Sequence, residues 1–440
     1  MTNKKFKHKK LSRFTTISKS LFIAGAHLTT SKIKEKINSF EKNKKDLMEL
    51  SGKIKASKEI IETMGSLKGG LMKLGQMISI TEDLILPPEI STLFKQLQKS
   101  APPMNRKDLD KIFIDSFLKL PEEIFQQFNP VPIAAASIGQ VHEAWLPDGT
   151  KVAVKVQYPK IKEAIISDFK NIDKLKSILE IIFPNLPNID NYIEEMKRSI
   201  IDECDYQKEL ENIVWFKQNV MPKIPGLYIP ETYKEFSSDT ILTMEFVSGD
   251  SIELANNYPI SVKNKLGQII YDTHMLCLYE LNQIHADPQN GNYLFNQNEV
   301  ILLDFGSIKK FPTEFIKNYI QLIKSIENND FKNYKNTIQH LGFMSDEKHQ
   351  NALERHFDLI REIYLPYTKE GIHPVDEKNP FKMLEGFIKT IDLKGISCPK
   401  EEFLLLDRSN LGLYTKLKYL GCSIDWTSSK NKSWDNFKLK

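Results

Sequence analysis

The fold is decided by two neighbouring stretches, Ile284–Asn292 (IHADPQNGN) and Leu302–Gly306 (LLDFG). A proline and a glycine inside the first stretch rule out a regular helix there. The apolar run that leads into the second stretch predicts a short buried strand that ends at its aspartate. The sequence therefore predicts that Asp287, Asn292 and Asp304 lie on loops beside this strand.

These three polar residues are typical of a phosphoryl-transfer site. In such sites one aspartate faces the acceptor, while an asparagine and a second aspartate hold Mg²⁺ against the nucleotide phosphates. The spacing His285-x-Asp287-x-x-x-x-Asn292 is that of the protein kinase H-R-D-x-x-x-x-N loop. Either stretch alone fits an ordinary loop or turn, but the two together favour the chemical interpretation.

Length and composition indicate an ordinary globular protein. With 440 residues, 41% of them hydrophobic and 27% charged, the chain has room for two or three domains or lobes. The 61 basic and 57 acidic residues nearly balance, which argues against a nucleic-acid partner. No apolar run of 18 residues is present, so no transmembrane helix is predicted.

The cysteines predict a reducing compartment. They form no C-x-x-C pair and are widely spaced, which is typical of buried free thiols rather than a metal site or a disulfide framework. The four positions are Cys204, Cys277, Cys398 and Cys422.

Residues 1–34 carry nine Lys or Arg residues and no acidic residue. This composition predicts a flexible, solvated arm. It also fits a peripheral contact with anionic lipid or an organellar transit peptide. The corresponding locations are the cytoplasm, with or without peripheral membrane association, or the mitochondrion if the arm is a transit peptide.

Residues 35–130 show helical periodicity. Lys73 and Gln76 are three residues apart, so they project to one side of a helix, and Gly75 between them permits close backbone approach. On the residues alone, an ordinary exposed pair explains Lys73 and Gln76.

Residues 131–157 predict a β-hairpin with a lysine in its second strand. The turn is Pro147–Thr150, and Lys155 lies within the apolar run that follows. A lysine in such a strand is costly to bury unless it meets an anion. The V-A-V-K pattern is close to the V-A-I-K of a kinase strand whose lysine contacts the nucleotide phosphates. The cover over those phosphates would be Ala134, Ala135, Ala136 and Ser137, which stand where kinases have a glycine-rich loop.

Lys155 needs a carboxylate partner, and the spacing leaves three candidates open. Glu203, Asp205 and Glu209 all fall in one predicted helix that begins near residue 192. A strand at residues 240–249 follows, at the position of a kinase hinge. Its backbone at Glu245 and Val247 is predicted to meet the adenine edge.

The order of these parts resembles the ABC1/ADCK/UbiB family of atypical kinases over about residues 60–427. The matching motifs are K-x-G-Q at Lys73–Gln76, an alanine-rich loop at Ala134–Ser137, E-x-D at Glu203–Asp205, H-[GA]-D-P-H-P-G-N at His285–Asn292 and D-F-G at Asp304–Gly306. Gln289 and Asn290 depart from the family, which usually has His and Pro there. From this departure we predict altered loop packing without loss of metal binding.

The resemblance implies an α+β, bilobal, protein-kinase-like fold. It implies a helical extension at 35–130, a small β-containing N-lobe at 131–248 and a mostly helical C-lobe at 249–440. Some bacterial members carry two C-terminal membrane spans that this sequence lacks, so any membrane contact is expected to be peripheral.

The resemblance also assigns roles to residues, with ATP and Mg²⁺ as cofactors. Lys155 would contact the phosphates, Glu209 would pair with Lys155, Asp287 would orient or deprotonate the acceptor, and Asn292 with Asp304 would hold the metal.

The resemblance further implies a lid. Lys73 and Gln76 would fold against Glu203 or Asp205 and exclude a peptide substrate, which favours ATP hydrolysis or phosphorylation of a small molecule. Family members are implicated in ubiquinone and other prenyl-lipid metabolism, so a prenyl lipid or quinone precursor is an expected partner.

Two alternatives share part of this pattern. One is a small-molecule kinase of the aminoglycoside or choline type, which has the same loop and metal aspartate but not the other motifs. The other is a non-catalytic scaffold that uses nucleotide binding to change its affinity for partners in a quinone-synthesis assembly. The sequence leaves the oligomeric state open.

Overall fold

The structure is a computed structural model that describes residues 104–136, 138–169, 189–287, 289–342, 350–375 and 401–438. The predicted arm at 1–34 lies outside these residues, as do Lys73, Gln76, Ser137 and Cys398.

An antiparallel sheet forms the first part of the described chain. Its strand order is β1-β3-β4-β6, with β2 paired to β3. The helices and strands here are α1 (Arg106–Phe117), α2 (Pro121–Ile124), β1 (Gln127–Phe128), β2 (Ala134–Ala135), β3 (Gly139–Trp145), β4 (Lys151–Gln157), α3 (Ile161–Phe169), α4 (Ile189–Asp202), α5 (Tyr206–Asn219), β5 (Leu227–Tyr228) and β6 (Ile241–Glu245).

The predicted hairpin is confirmed as β3 and β4, with Val141 opposite Lys155. Side chains of a strand alternate between its two faces, so the fully buried Val154 and Val156 face a core against α1 while Lys155 faces the other side. Gly139 permits the close approach of the strands, because a Cβ there would lie 2.3 Å from the carbonyl oxygen of Val156. The hairpin therefore fixes where Lys155 points.

Two predictions about this region were wrong in detail. Residues up to 130 were predicted to be helical, but β1 pairs with β3 and extends the sheet. The single helix predicted to carry Glu203, Asp205 and Glu209 is divided into α4 and α5. The break occurs because Asp205 caps α5, its carboxylate accepting a hydrogen bond of 3.1 Å from the Lys208 backbone N–H.

The rest of the described chain is mostly helical, with short strand pairs. It comprises α6 (Ile252–Ala255), α7 (Ile260–Met275), β7 (Gln283–His285), β8 (Tyr293–Phe295), β9 (Val300–Leu302), β10 (Ile308–Lys310), α8 (Thr313–Glu327), α9 (Phe331–His340), α10 (Gln350–Tyr364), β11 (Ile372–Pro374), α11 (Glu401–Leu420), β12 (Ser423–Asp425) and α12 (Ser428–Lys438). The predicted buried strand before Asp304 is confirmed as β9, all three residues of which are buried.

Within the described residues, no helix is both long enough and apolar enough to cross a membrane. The three described cysteines, Cys204, Cys277 and Cys422, are buried free thiols, as predicted.

Candidate active site

The loop between β7 and β8 carries the first predicted stretch. Asp287 is only 4% exposed, and the side-chain nitrogen of Asn292 donates to the backbone oxygen of Asp287 at 3.2 Å. His285 Nε2 forms a hydrogen bond with the backbone oxygen of Asp304. These hydrogen bonds join the two predicted stretches, so they hold Asp287, Asn292 and Asp304 close to one another.

Lys155 lies between two carboxylates. Its Nζ is 2.9 Å from Glu209 Oε1 and 2.9 Å from Asp304 Oδ2. The lysine side chain is 12% exposed, the Glu209 side chain 1% and the Asp304 side chain 29%. Of the three candidate partners, the structure therefore brings Glu209 to the lysine, and it adds Asp304 from the second stretch.

The charges of this triad strongly influence one another. Burial by itself lowers the pKa of Lys155, but Asp304 and Glu209 outweigh burial and hold it well above its ordinary value. Burial and the repulsion of Asp304 raise the pKa of Glu209 to about 7, against the attraction of Lys155. With both carboxylates ionised, one cation faces two anions, and the surplus negative charge favours binding of a further cation.

We expect the Glu209→Gln variant to change how the melting temperature of the metal-free protein depends on pH. The pKa of Glu209 rises from an ordinary 4.5 to about 7 on folding. Protonation of Glu209 therefore stabilises the folded state fully below its ordinary pKa of 4.5. This contribution to stability disappears as the pH rises through the folded-state pKa of about 7. Glutamine has no proton to lose, so the melting temperature of the variant, relative to wild type, should rise between about pH 5 and about pH 8. Calorimetry across this range tests it; a constant difference would contradict it.

Glu203 and Asp205 do not reach Lys155. Glu203 is buried with its side chain near Gly306, where a Cβ would lie 3.4 Å from Glu203 Cγ. Asp205 is exposed and caps α5. The structure therefore places Glu203 next to the Asp304 loop and Asp205 at the start of α5, and their predicted contact with Lys73 and Gln76 lies outside the described residues.

The predicted phosphate cover and hinge lie at the edges of the sheet. Ala134 and Ala135 are exposed in β2, and the backbone N–H of Ala136 donates to the Gly139 oxygen at 2.9 Å. At the hinge, the backbone N–H of Glu245 donates to the Glu231 oxygen at 2.8 Å. This N–H is therefore already in use, whereas Val247 follows β6 and is half-buried.

Tyr206 is a site residue that was missed at the sequence level. It is fully buried, and its ring centroid lies 5.0 Å from Lys155 Nζ. An aromatic face attracts an ammonium at this distance, so the ring is a third group, with Glu209 and Asp304, that stabilises the charge of the lysine. Its position three residues before Glu209, on the same side of a helix, was the available signal.

The departure at Gln289 and Asn290 leaves the loop backbone in a geometry that suits proline. Gln289 has φ −63° and ψ 140°, the extended conformation required before a proline, and Asn290 begins the 3₁₀ turn Asn290–Asn292. We expect Asn290→Pro to stabilise the protein by about 0.5 kcal/mol in urea unfolding. Asn298→Pro, whose N–H donates to Asn296 at 2.8 Å, is the matched control and should destabilise it. Destabilisation by Asn290→Pro would contradict the prediction.

The donor chemistry fits Mg²⁺. The nitrogen of Asn292 is used by the Asp287 oxygen, which leaves the amide oxygen for a cation, and Asp304 offers a partly exposed carboxylate. No group of three or more His, Cys, Asp or Glu side chains suited to a metal occurs in the part of the chain that the structure describes. A site with two protein oxygens suits Mg²⁺, which usually keeps waters and takes phosphate oxygens as its other ligands.

Comparison with known proteins identifies relatives of this chain. A model of the ABC1 atypical kinase-like domain matches residues 96–338. The mitochondrial atypical kinase COQ8 of Saccharomyces cerevisiae is 28% identical over 377 residues, covering 83% of this chain and 73% of that protein. The probable serine/threonine-protein kinase abkA of Dictyostelium discoideum is 29% identical over 408 residues, covering 87% and 72%.

One solved structure shares the fold. The erythromycin complex of Rv3197 from Mycobacterium tuberculosis superimposes with a TM-score of 0.61 at 22% identity, covering 89% of this chain and 99% of that one. With the domain match, this similarity confirms a kinase-like fold of mixed helices and strands.

Proposed function

Because the chain belongs to the family of ABC1 atypical kinase-like proteins, we propose that it binds Mg²⁺·ATP and hydrolyses it or transfers its γ-phosphoryl group to a small acceptor. The observation that carries this proposal is the position of Lys155, 2.9 Å from both Glu209 and Asp304. A strand lysine, a helix glutamate and a loop aspartate in contact are the parts that a kinase-type site needs around the phosphates.

Each residue of the triad has a distinct task in this proposal. Lys155 contacts the α- and β-phosphates, and the almost fully buried Glu209 keeps its ammonium in place. Asp304 and the amide oxygen of Asn292 would hold the metal ion as the two protein ligands. Bound Mg²⁺ would neutralise the charge of the β- and γ-phosphate oxygens.

Asp287 is assigned to the acceptor. Its carboxylate orients the attacking hydroxyl or water and takes its proton as the new oxygen–phosphorus bond forms, while the bond between the γ-phosphorus and the bridging oxygen breaks and ADP leaves. An aspartate that is only 4% exposed can be reached more easily by water or a small hydroxyl compound than by a folded peptide, so ATP hydrolysis is the favoured reaction.

The relatives support a biological setting for this activity. The yeast relative is named as a mitochondrial atypical kinase, which favours the mitochondrial location over the cytoplasmic one. We assign the activity to support of ubiquinone or other prenyl-lipid metabolism, with a prenyl lipid or quinone precursor as partner. Peripheral membrane contact through residues 1–34 is part of this proposal. Identification of the lipid that accumulates when the protein is removed would test it.

The activity is tested by nucleotide titration and phosphate release. A ligand that binds the native state must stabilise it, so millimolar ATP should raise the melting temperature, and more so with Mg²⁺. Absence of any stabilisation would refute nucleotide binding. Stabilisation without phosphate release would favour the scaffold, and transfer to an added aminoglycoside or choline would favour the small-molecule kinase.

A further inference from the structure

A lysine from a distant part of the chain is buried beneath the loop between β7 and β8. This loop carries Asp287 and Asn292 and is called the catalytic loop below. Lys416 lies near the C-terminal end of α11 and is only 2% exposed. Its Nζ lies 3.8 Å from the ring centroid of Tyr293, the residue that directly follows Asn292. Burial of a charged lysine is costly unless charges or dipoles compensate for it. The location therefore calls for a reason beyond packing.

The same helix contacts the loop at a second point and α7 at a third. Ser409 Oγ donates to the His285 backbone oxygen at 3.2 Å, and His274 Nε2 is 3.0 Å from Asn410 Oδ1. Lys416 shares the wall of a 40 Å³ cavity with Ser409, His285 and Tyr293. The underside of the catalytic loop therefore rests on α11, which lies beyond the residues 96–338 that the domain model matches.

The charges of Lys416 and Asp287 act on each other within this buried region. Burial lowers the pKa of Lys416 to about 7, against an opposing attraction from Asp287. Burial raises the pKa of the Tyr293 hydroxyl above its ordinary range, and Asp287 adds to that shift. Asp287 itself is almost completely buried. Charges that are both buried interact more strongly than exposed ones, because bulk solvent screens them less.

We propose that Lys416 is a positioning residue for the phosphoryl-transfer step, and that its ammonium, held against the Tyr293 ring, fixes the Asp287 carboxylate and the loop that carries it. This inference rests on the proposed function. Lys416 acts through Asp287 and Tyr293 and contacts neither the nucleotide nor the acceptor. Its removal should therefore slow turnover with little effect on nucleotide binding.

The kinetic test uses the full chain with Mg²⁺·ATP. Lys416→Met should lower kcat for phosphate release about 30-fold and leave KM for ATP within about threefold, because only the loop geometry changes. Lys416→Arg keeps the charge, and the cavity gives room for it, so it should recover most of the lost kcat. A Lys416→Met variant with unchanged kcat would overturn the proposal, as would equal loss in the Met and Arg variants. Lys416→Gln replaces the Met variant if the latter does not fold.

The control is a second buried lysine outside the site. Lys430 is 3% exposed, lies 4.8 Å from the Trp434 ring and pairs with Glu327. Lys430→Met should lower the melting temperature without a selective fall in kcat. An equal fall in kcat in both methionine variants would show a general effect of burying methionine in place of lysine and would overturn the proposal.

A double-mutant cycle of melting temperatures tests this inference separately from the proposed function. Melting temperatures of wild type, Asp287→Asn, Lys416→Met and the double variant are measured without nucleotide, at a pH below the value of about 7 to which burial lowers the pKa of Lys416, so that the lysine is charged. Because the two charges interact, the shift caused by Lys416→Met should be smaller in the Asp287→Asn background. Additive shifts would overturn the pairing. A wild-type protein that releases no phosphate would refute the proposed function, and the cycle would still decide whether Lys416 and Asp287 are coupled.

Discussion

Asp304→Asn is expected to lower the rate of Mg²⁺-dependent phosphate release by about a thousandfold. A bound metal contributes several kcal/mol of transition-state stabilisation, which corresponds to this factor. Asp304 is the charged member of the proposed ligand pair, and asparagine removes its charge while keeping its shape. Asparagine can still accept the 3.0 Å hydrogen bond from the Gly306 backbone N–H. The loop should therefore fold normally, and steady-state phosphate release in a purified, folded variant measures the loss.

The metal role also predicts how ATP and Mg²⁺ stabilise the Asp304→Asn variant. ATP without Mg²⁺ should still stabilise Asp304→Asn, whereas the additional stabilisation that Mg²⁺ gives to the wild type should disappear. Asp272→Asn is the matched control, since this aspartate lies in α7 and is held by Gln268 and Ser429 away from the triad. Near-normal turnover in Asp304→Asn would exclude Asp304 as a metal ligand.

The sequence was sufficient for the parts whose spacing is local. The β3–β4 hairpin follows from a turn between two apolar runs, and the buried β9 follows from an apolar run that ends at a polar loop. The helix break after Asp202 was missed because a capping aspartate inside a continuous polar segment looks like any other helical acid. Because of this break Asp205 caps α5, and Glu209 is the acid that contacts the strand lysine.

Contacts between distant segments could not be derived from spacing. The parallel pairing of Leu227 with Val300 joins segments that no motif connects. The contact of Asp304 with Lys155 depends on the sheet and the loop meeting in space. Lys416 had no signal at all, because an isolated lysine on an amphipathic helix is normally exposed. Tertiary packing, rather than local propensity, determines both of these contacts and the burial of Lys416.

Lys155→Met is expected to abolish turnover and also to destabilise the metal-free protein by about 3 kcal/mol, the usual cost of removing one partner from a buried ion pair. The loss leaves Glu209, only 1% exposed, beside Asp304 without the ammonium that compensated both. The buried Glu209 carboxylate and the partly exposed Asp304 carboxylate then repel, and the pKa of Glu209 rises further. Urea unfolding near neutral pH measures the stability, and phosphate release measures the activity.

Because the destabilisation arises from uncompensated negative charge, it should be relieved when that charge is removed. Adding Glu209→Gln to Lys155→Met should recover stability but not turnover, since the phosphates would still lack their lysine. Lys151→Met on the same face of β4 is the control, because Lys151 is 41% exposed and pairs with Glu143, and such pairs contribute little. If Lys155→Met were as stable as Lys151→Met, the triad would not be the charge-coupled unit that its geometry indicates. If the double variant recovered turnover as well, Lys155 would have no role at the phosphates.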